Sequence, residues 1–475
     1  MKKLLPFIIC ILSIGSAKAQ GYDIILQTNY RAGMTYLTYY LGKDYFLQDS
    51  AVVSNKGLAV FKGDKKLPGG IYALVFPGKR LTADFLVDKE QKISIKADSN
   101  QLDKMQVTGS PANTLFKDYR AFVNLKGKQL QQERMAYNAS RTHADSVLHE
   151  AAYKQYSKEL NTYRENIINN KPGSMMAVLL NAMKDPPYPA KAAVTHDDSI
   201  ANYNFYKSRY WDGISFLDER VIRTPFFLPK LETYYRQVMS QSTDSLVRDI
   251  DYRLLLARSS PEMFKYLLNW FTDEYISPKY MGQDAIFVHL FEKYHSRGVS
   301  SWLNEKQQET VTRRAYMLMS NLIGEKAANL DFIDGTGKPS ALYDLKADYT
   351  VLVFWDPSCG HCKEEVPKID SIYRASWKQK NVKIYAVLSE KEKQKADWLK
   401  YINEHGIRDW TNVYQPDAAA DAEVKEKRPS YRQLYDITLT PTLYLLDKDK
   451  HIIAKKLNRE QINDFLKVKF KQDKN

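Results

Sequence analysis

Val351-Leu352-Val353-Phe354-Trp355-Asp356-Pro357-Ser358-Cys359-Gly360-His361-Cys362-Lys363-Glu364-Glu365-Val366-Pro367 is the stretch from which the rest of the chain is read. Val351 to Trp355 is a continuous apolar run, the pattern of a parallel strand covered on both faces. Asp356-Pro357-Ser358 ends it, and Ser358 has the chemistry of a helix N-cap. The two cysteines then fall on the first helical turn, where a spacing of three puts both thiols on one face within bridging reach. The first thiol meets the positive end of the helix dipole, which favours thiolate, the nucleophile of disulfide exchange.

With these residues in place, the sequence resembles the thioredoxin superfamily, most nearly the TlpA-like group of bacterial envelope thiol-disulfide oxidoreductases. Four features carry the resemblance: a strand ending in Phe354-Trp355, the Cys359–Cys362 pair, Pro367 in the helix, and Thr440-Pro441-Thr442 before a second apolar strand. It covers about the last third of the chain, one domain's worth. The resemblance implies that Cys359 attacks and Cys362 resolves. It also implies that Pro441 is a cis-proline facing the pair, with Trp355, Pro367 and Thr440 in support. Glu365, three residues after the second cysteine, matches the position where the family often has an acid near the site. Two residues depart from the superfamily pattern. Val353 stands where thioredoxin itself has a buried acid, and Ser358 stands where a tryptophan often precedes the first cysteine. His361 between the cysteines, if protonated, would add to the helix dipole and favour the Cys359 thiolate. That makes the pair more oxidising, whereas TlpA-like relatives are usually reductants, so an intermediate potential is expected.

The cysteine inventory sharpens the reading. The chain has three cysteines, and Cys10 lies in an N-terminal segment that reads as a secretory signal. Lys2-Lys3 begins that segment, Leu4–Ile14 is its apolar core, and Ala17-Lys18-Ala19 is a cleavage box, so residues 1–19 are expected to be removed. An exported chain then retains only Cys359 and Cys362, too close together for their bridge to add much structural constraint. Four-ligand zinc binding lacks a second cysteine pair, and His289 and His295 are not at metal-ligand spacing. No metal and no cofactor are therefore expected.

With 475 residues the chain is too long for one core. Its net charge of +14 includes Lys2, Lys3 and Lys18, and there is no dense Lys/Arg run or nucleic-acid motif. Nucleic acid is not an expected partner, and the mature chain has no expected membrane span. Residues 20–110 read as an antiparallel β-sandwich or barrel-like domain, with short β-branched and aromatic runs between Gly and Asn/Asp turns. This part resembles the β-domain that precedes the thioredoxin module in exported Bacteroidetes-type proteins. Ser110-Pro111 marks a helix start. Residues 111–323 read as an all-helical middle domain, opening with a long helix pair over 112–169. Residues 324–475 are the α/β thioredoxin-like domain: a hairpin with arms at 330–333 and 340–345, strands at 351–355, 382–388 and 410–414, a second hairpin, and a closing helix.

The expectation is an exported, periplasmic or envelope thiol-disulfide oxidoreductase. Its partners would be proteins with thiols or disulfides and a redox partner in the envelope. The alternative is an envelope interaction scaffold whose redox domain serves docking or sensing. A peroxidase of the peroxiredoxin group is more remote, because the residues before Cys359 do not supply its pattern.

Overall fold

Alternation of buried and exposed residues marks several of the N-terminal strands. The computed structural model describes residues 21–79, 82–189, 192–389 and 392–472, so the signal segment 1–19 and Gln20 lie outside the described residues. β1 (Tyr22–Thr28), β2 (Met34–Leu41), β3 (Asp44–Val52), β4 (Leu58–Gly63), β5 (Gly70–Val75), β6 (Thr82–Val87), β7 (Lys92–Ala97) and β8 (Gln106–Thr108) form two four-stranded sheets, ordered β4-β1-β7-β8 and β3-β2-β5-β6. Ile24, Leu26, Phe61, Ile93 and Ile95 of the first sheet share one core with Leu37, Tyr72, Leu74 and Phe85 of the second. The result is a sandwich and not a closed barrel. It is not wholly antiparallel either: β1 and β7 run parallel, from Asp23 beside Lys92 to Thr28 beside Ala97.

Ser110 caps the helix Pro111–Ala139, its side chain accepting from the Asn113 amide, with the proline in the first turn. Asn113 then bonds both backbone groups of Leu86 on the edge strand β6, accepting from its N–H (2.8 Å) and donating to its carbonyl (2.7 Å). A helix start thus satisfies part of an open sheet edge. The helices Pro111–Ala139 and His143–Asn170 form the expected long pair. Ile71 and Leu86 of the sheet pack with Ala112, Tyr119, Ile167 and Met176 of the helices that follow. The chain accordingly divides into two compact units. One holds the β-sandwich and the helices up to residue 240, with residues 253–266; the other holds residues 241–252 and everything from 267 onward.

In the second unit β9 (Ile333–Asp334), β10 (Tyr349–Trp355), β11 (Val382–Leu388), β12 (Thr411–Tyr414), β13 (Thr442–Leu446) and β14 (Ile452–Lys455) form a six-stranded mixed sheet in the order β14-β13-β10-β11-β12-β9. β10 runs parallel to β11 and antiparallel to β13. All its residues are buried. Val351, Val353 and Trp355 face one core with the helices Gly360–Ile372, Lys395–Glu404 and Arg459–Gln472, while Leu352 and Phe354 face a second core with Tyr431 and Tyr435. This is the thioredoxin-like arrangement expected of the C-terminal third. One element differs: the opening hairpin has no second strand. Only Ile333–Asp334 is a strand, it pairs with β12, and Leu342–Asp344 forms a 3-10 turn. Among the described residues no helix is long and apolar enough to cross a membrane.

Candidate active site

The end of β10 delivers the chain into a tight turn. The Asp356 carboxylate accepts from the Ser358 amide (2.7 Å) and from the Ser358 hydroxyl, and the Cys359 amide donates to the Asp356 carbonyl (3.2 Å). Ser358 is therefore committed to the turn and does not cap the helix. Cys359 itself occupies the N-cap position (φ −72°, ψ 125°), and the helix begins at Gly360. This places the Cys359 sulfur where the free N–H groups of the first turn converge. Cys362, three residues on, is fully buried, and the Asp356 amide approaches its sulfur at 3.5 Å. Both cysteines are free thiols.

A second segment closes on the pair. The Thr440–Pro441 peptide bond is cis, and the Cys359 thiol donates to the Thr440 carbonyl at 3.4 Å. Four residues earlier Asp436 anchors this loop. It is 1% exposed, has a left-handed φ of 47°, and accepts from Arg314 (2.6 Å) and from Lys456. Arg314 lies on the helix Glu305–Met319, so part of the helical segment fixes the loop that faces the cysteines. A buried carboxylate needs both cations to offset its desolvation. The same segment ties to β14, where Lys455 is buried against Asp284 and donates to the Asn321 carbonyl (2.6 Å) and side-chain oxygen (2.8 Å).

The environment splits the two thiols. Burial pushes Cys362 up to about 12, and the neighbouring Cys359 adds to the rise. Burial also acts upward on Cys359, but the outcome is below its ordinary value of 9.0. The backbone amide of Cys362, the Thr440 hydroxyl and the backbone amide of His361 favour its thiolate. His361 thus acts on Cys359 through its amide, and its side chain is exposed. Of the other expected residues, Trp355 is buried in one core with Cys362 and packs on Tyr401 (5.2 Å between ring centroids), and Pro367 sits inside the helix. Glu365 is not drawn to the sulfurs. It pairs with Arg459 on the last helix and with Lys368 (3.4 Å), and despite partial burial these cations hold its carboxyl below the usual range. Asp356 was not singled out from the sequence, although Asp-Pro-Ser is a side-chain-stabilised turn signal. Arg314 and Asp436 left no local signal, being 122 residues apart.

The fold and paired cysteines define a thioredoxin fold of the thiol-disulfide oxidoreductase kind. Residues 323–455 match the AhpC/TSA family. Residues 23–116 match a domain of unknown function, DUF4369. The thiol-disulfide oxidoreductase ResA of Bacillus thuringiensis is 26% identical over 148 residues, covering 30% of this chain and 77% of that protein. Among solved structures, a domain of a possible thiol-disulfide isomerase from Cytophaga hutchinsonii is 38% identical, covering 32% of this chain and 95% of that one, with a TM-score of 0.27. A thioredoxin-like protein from Bacteroides caccae is 24% identical, covering 60% of this chain and 99% of that one, with a TM-score of 0.46.

Proposed function

We propose that the protein is an exported thiol-disulfide oxidoreductase, acting in the periplasm or cell envelope on protein disulfides through Cys359 and Cys362. The observation that carries this reading is the opposed environment of the two thiols. Cys359 is partly exposed at a helix start with its thiolate favoured, and Cys362 is buried with its thiol form favoured. An attacking thiol needs the first environment; a thiol that reacts only with its neighbour tolerates the second. The Cys359 thiolate attacks one sulfur of a substrate disulfide, and the other leaves as a thiolate. Cys362 then gives up its proton, attacks the Cys359 sulfur of the mixed disulfide and releases the second substrate thiol. The substrate gains two electrons and the Cys359–Cys362 pair loses them; the reverse sequence oxidises a dithiol.

Thr440 and the cis Pro441 bond hold the loop against Cys359, and His361 contributes its amide. Glu365, paired with Arg459, positions the cysteine-bearing helix against the last helix. An unidentified envelope redox partner resets the pair. The name of the ResA relative supports the chemistry, and the N-terminal reading of residues 1–19 supports export. Two measurements test the proposal. Envelope fractionation should find the protein outside the cytoplasm with its first 19 residues removed. Purified protein should exchange with a protein disulfide, and the Cys359→Ser variant should be inert. A cytoplasmic protein would remove the export claim, and an active Cys359→Ser variant would remove the mechanism.

A further inference from the structure

A cavity of about 730 Å³ lies in the second unit, beside the loop that faces the cysteines. Its charged lining is Lys279, Arg314, Lys455 and Lys456 against Asp284 and Asp436, an excess of two positive charges. The carboxylates are already engaged: Asp436 by Arg314 and Lys456, Asp284 by Lys455. An entering group therefore meets cations whose excess is not neutralised from within. The mouth also carries apolar surface. Tyr280 is 56% and Met281 41% exposed, and both line the cavity.

Position gives this cavity its meaning. Thr438 lines it, and Thr440 touches the Cys359 sulfur. Two residues of extended chain span at most about 7 Å, so the cavity wall and the reactive sulfur are separated by a distance that a few residues of bound polypeptide cover. Leu439 between them is 76% exposed, an apolar side chain presented to whatever lies across the loop.

We infer that this cavity is the subsite for the polypeptide flanking the substrate's reacting cysteine, and that it takes an acidic segment two to four residues from that cysteine. Charge complementarity carries the choice of an acidic occupant, since a positive, partly enclosed wall concentrates carboxylates and repels basic segments. Arg314 and Lys456 hold the loop through Asp436, so a carboxylate at their outer side rests on the structure that positions Thr440. The inference rests on the proposed disulfide exchange and adds the substrate class to it.

The test uses the reduced full-length protein in single-turnover reactions, in which the Cys359–Cys362 pair supplies both electrons. The substrates are two synthetic peptide disulfides that differ only in having two glutamates or two lysines at the third and fourth positions from the cysteine. Uncharged 2-hydroxyethyl disulfide is the control. The acidic peptide should react about tenfold faster than the basic one at low ionic strength, and the ratio should shrink towards one in molar salt. Lys279→Glu, a change at an exposed position, should lower or invert the ratio measured within the variant. Equal rates for the two peptides, with 2-hydroxyethyl disulfide reduced normally, would overturn the subsite and leave the exchange chemistry standing. Failure to reduce 2-hydroxyethyl disulfide would overturn the exchange chemistry itself. A preference for the acidic peptide that Lys279→Glu leaves untouched, and that salt leaves untouched, would also overturn the subsite.

Discussion

Alkylation of the reduced protein should strike Cys359 at least about 30-fold faster than Cys362 at pH 7. The magnitude follows from the two environments. Cys362 is pushed up to about 12, so about one molecule in 10⁵ carries its thiolate at pH 7. Cys359 lies below 9.0, so more than about one in 10² carries its thiolate. The ratio of thiolate populations is at least about 10³. A less basic thiolate is also less nucleophilic, with a Brønsted slope of about 0.4–0.5, which returns about 15–30-fold of that advantage. What remains is at least about 30-fold, and burial of Cys362 widens it by denying access to the reagent. The assay is a pulse of iodoacetamide, a quench in acid and peptide mass spectrometry. Cys359→Ser supplies a second reading, because it leaves Cys362 buried and slow. Rates within threefold of each other, or a fast Cys362 in the Cys359→Ser variant, would refute the reasoning from burial and helix-start amides.

Three further outcomes are expected. His361→Asn keeps the backbone amide and should leave the Cys359 thiolate titration, followed by absorbance near 240 nm, close to wild type. His361→Pro removes that amide and should raise it, so an equal shift in both variants would return the effect to the imidazole. Asn113→Ala leaves the Leu86 N–H and carbonyl without their side-chain partner and should cost about 2 kcal/mol by denaturant unfolding; a loss under about 0.5 kcal/mol would show that the β6 edge does not depend on it. His295, its ring nitrogens bonded to Thr272 and Ser300 (2.8 Å each), is lowered by burial from 6.5 to about 4. The folded protein thus binds that proton less readily than the unfolded chain. The contribution is present above pH 6.5 and lost as pH falls towards 4, by up to roughly 3 kcal/mol. His295→Asn should flatten that part of the stability–pH curve, and an unchanged slope would exclude His295 as its source.

Much of the site was legible because its determinants are local. The apolar run of β10, the turn after it and the cysteine spacing all lie within a few residues, and the same holds for Ser110-Pro111 at the head of the long helix pair. Ser358 shows the limit of local reading. Its side chain can serve a helix cap or the Asp356 carboxylate, and both partners lie within three residues. β3 carries no local mark of a half-buried strand, because Tyr45, Phe46 and Leu47 are all exposed and its sequence lacks the alternation. The parallel pairing of β1 with β7 joins segments about 70 residues apart, beyond any local pattern. The ion pairs of Arg314 with Asp436 and of Lys455 with Asp284 join residues 122 and 171 apart, again beyond any local pattern. Tertiary packing buries them and makes them the fasteners of the loop and of β14.

The central claim is that Cys359 attacks and Cys362 resolves. Its most direct measurement is the product formed when reduced full-length protein meets one equivalent of a protein disulfide, read by non-reducing electrophoresis and mass spectrometry. Wild type should yield reduced substrate and one internal Cys359–Cys362 disulfide. Cys362→Ser should accumulate a one-to-one mixed disulfide through Cys359, and Cys359→Ser should form none. A mixed disulfide through Cys362, or an unreacted substrate with wild-type protein, would contradict the account.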